Sequence, residues 1–188
     1  MKNAIKLFVA VAILAVAGIA SAQNSASVSA TASARIIRPI TLTKNADLEF
    51  GNIISPTTGS ATLTIKQNNT PAYSNPATKP GSQTGVQNPA QFTMTGEPTF
   101  TYNITSSPAI GGSLILTDGS VAAGHTATAV IGNPTDATGT NLSNPVADVT
   151  GTSTFYVGGV LTITSTNVPG SYSNTNTGGT AWSMTVAY

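Results

Sequence analysis

Large apolar and small polar residues alternate over the last eleven positions of the chain, GGTAWSMTVAY from Gly178 to Tyr188. Trp182, Met184, Val186 and Tyr188 take one set of positions; Ser183, Thr185 and Ala187 take the other. Successive strand side chains point to opposite faces, so the pattern predicts a strand with its large residues on a core. The same period opens the chain's polar part. Val28, Ala30, Ala32, Ala34 and Ile36 alternate with Ser27, Ser29, Thr31, Ser33 and Arg35. This predicts a first strand over 27–36, thinly apolar because alanine dominates it, that pairs within its own chain, the alternative being that it completes the sandwich of a neighbouring copy.

Between these ends, short periodic runs are separated by turn residues. Pro39 interrupts, then Ile40 and Leu42 resume. Leu48 and Phe50 point one way and Asp47 and Glu49 the other, before a turn at Gly51. Residues 61–65 form a strand entered from a turn at 56–60. Residues 66–90 carry Pro71, Pro76, Pro80 and Pro89 among Asn, Gly and Ser, which predicts a long surface loop with Tyr73 as its only aromatic residue. Strands resume at 91–95 and 99–105, split by Gly96-Glu97-Pro98. Another at 113–117 meets the turn Asp118-Gly119, and 121–131 follows. Residues 132–145 read as a second loop. Phe155-Tyr156-Val157 and Val160-Leu161-Thr162-Ile163 flank Gly158-Gly159, which predicts a hairpin turning on the two glycines. Residues 165–179 read as a third loop. No 3.6-residue period is sustained beyond residue 22, and no repeat of fixed period stands out. About ten short strands with turn signals between them predict an all-β sandwich.

The first 22 residues stand apart. Lys2 and Lys6 precede an apolar run over 7–19, and Ala20-Ser21-Ala22 has the small-x-small form of a signal-peptidase site. This predicts a signal peptide over 1–22, a mature chain from Gln23, and no stable membrane span after cleavage. The remaining residues 23–188 suit one β-sandwich domain with the 66–90 loop as an insertion. Of the seven basic residues in the chain, two fall in the leader, leaving five against six acidic ones. No basic patch is available for phosphates, which argues against a nucleic-acid partner. Charged residues make up only 7% of the chain, against about 25% in ordinary soluble domains, so Ser, Thr, Asn and Gln must build the polar surface. There is no cysteine, and hence no disulfide.

Candidate chemistry is sparse. His125 is the single histidine; with no Gly-x-Ser-x-Gly elbow, it reads as a loop histidine on a polar surface. One His and no Cys cannot supply a zinc site. Asp47 and Glu49 could offer oxygens to calcium, but no Asp-rich loop accompanies them, and they read as solvent-facing charges that discourage edge pairing. The six acids are too dispersed for a glycosidase pair. Gly158-Gly159 is not a phosphate loop, since no helix follows it. Asn68-Asn69-Thr70, Asn103-Ile104-Thr105 and Asn141-Leu142-Ser143 match the glycosylation sequon, as a Thr/Asn-rich chain does by chance. No catalytic residue, cofactor or metal is therefore expected.

Three stretches together resemble the DUF4402 family of secreted bacterial proteins: ATASARIIRPITLTKNADLEFG over 30–51, FYVGGVLTI over 155–163, and Gly170-Ser171-Tyr172 leading into 182–188. The layout is also similar to spore coat U-type and chaperone–usher pilin domains, which end in a Gly-x-Tyr turn and a strand closing on Tyr. Those usually carry a cysteine pair, which this chain lacks. The resemblance implies an immunoglobulin-like, pilin-like sandwich with a role at the surface of a bacterium and no catalytic residues to carry over. The resulting expectation is a non-enzymatic, exported structural protein, secreted to the periplasm or cell surface. It would act as a fimbrial, pilus-like or coat subunit and associate with itself or with other fibre subunits. The alternative is a secreted adhesin-like module that holds a glycan or another surface ligand through Tyr73 and the long loops.

Overall fold

The structure is a computed structural model that describes residues 25–68, 71–73, 85–120 and 122–188. The predicted signal peptide and its cleavage site lie outside these residues, as do 69–70 and 74–84 of the long loop. The chain divides into two units, Met1–Ile36 and Ile37–Tyr188. Every strand lies in the second.

Among the described residues the regular structure is all β, in nine strands: β1 (Thr41–Ala46), β2 (Ser60–Ile65), β3 (Ala72–Tyr73), β4 (Ala90–Thr95), β5 (Asn103–Ser107), β6 (Ser113–Thr117), β7 (Thr126–Thr135), β8 (Thr152–Thr164) and β9 (Ser183–Ala187). Seven join one antiparallel sheet, and β5 pairs with β9 in a second. This is the β-sandwich that the alternation predicts. β2, β4, β7 and β8 bury alternate residues: Ala61, Leu63 and Ile65; Ala90, Phe92 and Met94; Ala127, Ala129 and Ile131; Phe155, Val157 and Leu161. The β5–β9 pair closes the core with Ile104, Met184 and Val186, and Trp182 just before β9 sets its ring edge-on to Phe92 at 6.3 Å.

The sheet is organised by β8. The strand is 13 residues long and continuous through Gly158 and Gly159, so the predicted hairpin does not exist. Neither glycine has the positive φ that a two-residue turn needs. Instead, β8 carries β4 along its first half and β2 along its second, with β7 on the opposite edge. The glycines sit where these neighbours crowd in. A Cβ on Gly158 would collide with the carbonyl oxygen of Ile65, and one on Gly159 would lie 2.9 Å from that of Val130. Here glycine serves close backbone approach rather than a turn.

The predicted first strand is also absent. Residues 25–40 join no ladder, and 25–39 are exposed. The alternation over 27–36 is real, but three alanines offer little area to bury at about 0.8 kcal/mol per CH₂. Ordering the backbone costs about 1–2 kcal/mol per residue. The sandwich begins at β1, which pairs with β4.

Smaller departures have local causes. β5 starts at Asn103, not at 99, because Thr99 takes a left-handed φ of 62°. β7 runs on to Thr135, into the predicted second loop, by way of a bulge between Ile131 and Pro134 that accommodates the proline. The third loop is pinned by side chains. The Tyr172 hydroxyl reaches the carbonyls of Val168 (2.7 Å) and Gly124 (2.9 Å), and the amide of Asn167 donates to Thr126 O at 2.6 Å.

Candidate functional site

The outer face of β1, β4 and β8 is built of rows set by the ladder register. Thr41, Thr95 and Thr152 form one row, and Thr43, Thr93 and Thr154 the next. The hydroxyls of Thr41 and Thr95 lie 2.5 Å apart, and those of Thr93 and Thr154 lie 3.2 Å apart. Past the bulge between Lys44 and Ala46, the third row is Ala46, Gln91 and Tyr156. At this row the face opens into a cleft of about 260 Å³ lined by Ala46, Gln67, Asn88, Pro89, Gln91 and Tyr156.

Each polar wall is held by the fold. Asn88 is fixed through its backbone, which exchanges hydrogen bonds with Glu49 at 2.8 and 3.0 Å. Gln91 faces Tyr156 directly across the ladder, and its amide donates to the phenol oxygen at 3.4 Å. Pro89 is buried beneath them. Gln67, just after β2, lies against Gly139, where a side chain would collide with its amide nitrogen. Gln67, Asn88, Gln91 and Tyr156 are all half-buried. Among the described residues the lining holds no carboxylate, ammonium, guanidinium or imidazole; it offers amide donors and acceptors, a phenol and an aromatic ring.

Gly139 belongs to the first of two matching turns, Asp136-Ala137-Thr138-Gly139-Thr140 and Asp148-Val149-Thr150-Gly151-Thr152. In each, one aspartate oxygen accepts from the N–H and hydroxyl of the first threonine, Thr138 or Thr150, and from the N–H of the second, Thr140 or Thr152, at 2.7–2.9 Å. Glycine supplies φ of 92° and 84°. The threonine hydroxyl first, and the backbone N–H groups with it, hold both carboxyls below the usual carboxylate range. These aspartates cap turns.

His125 pairs with Asp118, Nδ1 to Oδ2 at 2.5 Å, both side chains being largely buried. The imidazole lowers the pKa of Asp118, helped by the Ser120 N–H. The pair closes the β6–β7 connection, where Asp118 N also donates to His125 O. It thus has a partner that the reading of a lone surface histidine did not foresee. Asp47 and Glu49 are exposed, with Asp47 paired to Lys44 at 2.6 Å. Tyr73 does not line the cleft; its hydroxyl accepts from Gln87, whose amide also donates to Phe50 O. The sequon asparagines Asn68, Asn103 and Asn141 are all exposed. In the core, burial pushes the Tyr102 phenol up; the Ser153 side chain opposes this without reaching hydrogen-bond geometry. Among the described residues no group of three or more His, Cys, Asp or Glu side chains gathers to hold a metal.

The cleft residues carry no sequence motif, since they come from four separate stretches of the chain and meet only in the folded sheet and its connections. The paired Asp-x-Thr-Gly-Thr turns were legible, twelve residues apart, but two copies fall short of a repeat architecture.

A sequence model of the family described as "Domain of unknown function (DUF4402)" matches residues 40–188. No curated protein and no solved structure matches the chain.

Proposed function

From the premise that the chain belongs to the DUF4402 family, we propose that it is an exported, non-enzymatic structural subunit of a bacterial surface fibre or coat. One observation carries this reading. Residues 27–36 have the alternation of a strand and join no ladder of their own chain. Such a segment can add to the sheet edge of a second copy, where main-chain hydrogen bonds supply affinity and alternate side chains supply register. Edges are available, since β1 pairs only with β4, and β5 only with β9. The low charge also suits close packing of like chains, which would otherwise repel one another.

The test is to purify the chain from Gln23 and a version lacking residues 23–36, then compare them by size-exclusion chromatography and negative-stain microscopy. The longer chain should form oligomers or fibres. The shorter should be a monomer that melts cooperatively, and a peptide of residues 25–36 should bind to it. A longer chain that stays monomeric at high concentration overturns the reading.

A further inference from the structure

We propose that the cleft between β1, β4 and β8 is a binding site for a neutral sugar ring. The proposal does not depend on assembly, since it rests on the outer face of β1, β4 and β8 and not on residues 27–36. Gln67, Asn88, Gln91 and Tyr156, three residues with side-chain amides and one with a phenol, line one opening of about 260 Å³. That volume is just below the range of small-molecule pockets, roughly 300–1,000 Å³, and suits a single ring rather than a large cofactor.

The chemistry narrows the ligand further. Among the described residues no charged group lines the cleft, so they offer nothing to offset the desolvation of a phosphate, carboxylate or ammonium. Amides and a phenol instead match hydroxyl groups, since each can both donate and accept. The Tyr156 ring adds apolar surface for a C–H face of a pyranose. The walls are also preorganised. The Asn88 backbone is set by its pair with Glu49, and Gln91 and Tyr156 are set by the ladder and by their mutual hydrogen bond, while the absence of a side chain at Gly139 leaves room for Gln67, which limits the ordering cost of binding. The six threonines of the adjoining rows extend the same uncharged hydroxyl surface away from the cleft, a track on which further rings of a chain could lie.

The experiment is an NMR titration of the isotopically labelled chain from Gln23 with the methyl glycosides of glucose, galactose, mannose and N-acetylglucosamine. At least one should shift the side-chain amide signals of Gln67, Asn88 and Gln91 saturably. The double variant Gln67→Ala/Gln91→Ala should weaken that binding about tenfold or more, the loss of one or two hydrogen bonds, with its melting temperature checked in parallel. If no glycoside shifts these signals, or if the shifts cluster around Tyr73 instead, the proposal is wrong. The titration of the unsubstituted chain decides this even if the double variant fails to fold.

Discussion

Single residues in this protein act mostly through what they allow or forbid the backbone. At Gly158 a methyl group would meet the Ile65 carbonyl, which cannot swing aside as a flexible side chain could. Gly158→Ala should therefore cost about 3 kcal/mol, the upper end of overpacking. Gly111, at φ 80° with open space around it, is a control. Gly111→Ala should cost about 1–2 kcal/mol for the left-handed backbone alone. Denaturant midpoints of the two variants should rank in that order. Tyr188 acts through its hydroxyl. It accepts from Glu97 N and donates to Arg38 O at 3.0 Å, so it ties the segment before β1 to the β4–β5 loop. Tyr188→Phe keeps the edge-on contact with Phe100 and should cost about 1–2 kcal/mol, read from thermal unfolding. The turn aspartates predict a pH effect. Asp118, Asp136 and Asp148 all have lowered pKa values in the folded chain. Their contribution is thus complete above the unfolded value of about 3.9 and is lost as pH falls through the lowered folded values. Stability should be flat from neutral to about pH 4 and decline below it. The double variant Asp136→Ala/Asp148→Ala should be less stable at pH 7 and show a shallower acid decline.

At the scale of elements, β8 and β9 carry different burdens. β8 touches three strands and defines where they cross, so its glycines answer to packing and not to a turn. β9 is a lid strand. Trp182, Met184 and Val186 are each partly buried against the core, so together they contribute about half of the 1.5–3 kcal/mol expected for each full burial, roughly 2–5 kcal/mol. That is a large share of the roughly 5–15 kcal/mol net stability of a domain. A chain ending at Gly179 should lose cooperative unfolding in a thermal melt followed by circular dichroism. A sharp transition near the full-length midpoint would remove β9 from the core.

For the molecule as a whole, low charge and a hydroxyl-rich exterior have two consequences. The polar surface is built mostly of Ser, Thr, Asn and Gln, so the proposed association between copies would meet little electrostatic opposition and should vary weakly with salt. Assembly of the chain from Gln23, followed by light scattering, should change little between low and high ionic strength. A steep salt dependence would point to charged contacts instead.

Alternation by itself determined the class of fold and most of its strands, because a period of two leaves one face to bury whichever neighbours are found. Leu48 and Phe50 inward, Asp47 and Glu49 outward, and the Trp182–Val186 stripe were all legible in this way. Tertiary structure decided what each strand pairs with. The same Gly-Gly that suits a hairpin also suits a strand hemmed in on both edges, and only the approach of Ile65 and Val130 chooses between them. The alternation at 27–36 likewise cannot say whether a partner edge exists within the chain. His125 acquired its role from Asp118 across a loop, and the cleft from residues as far apart as Ala46 and Tyr156. Such groups meet through ladder register, and register is set by the whole pattern of buried faces and not by any local run of residues.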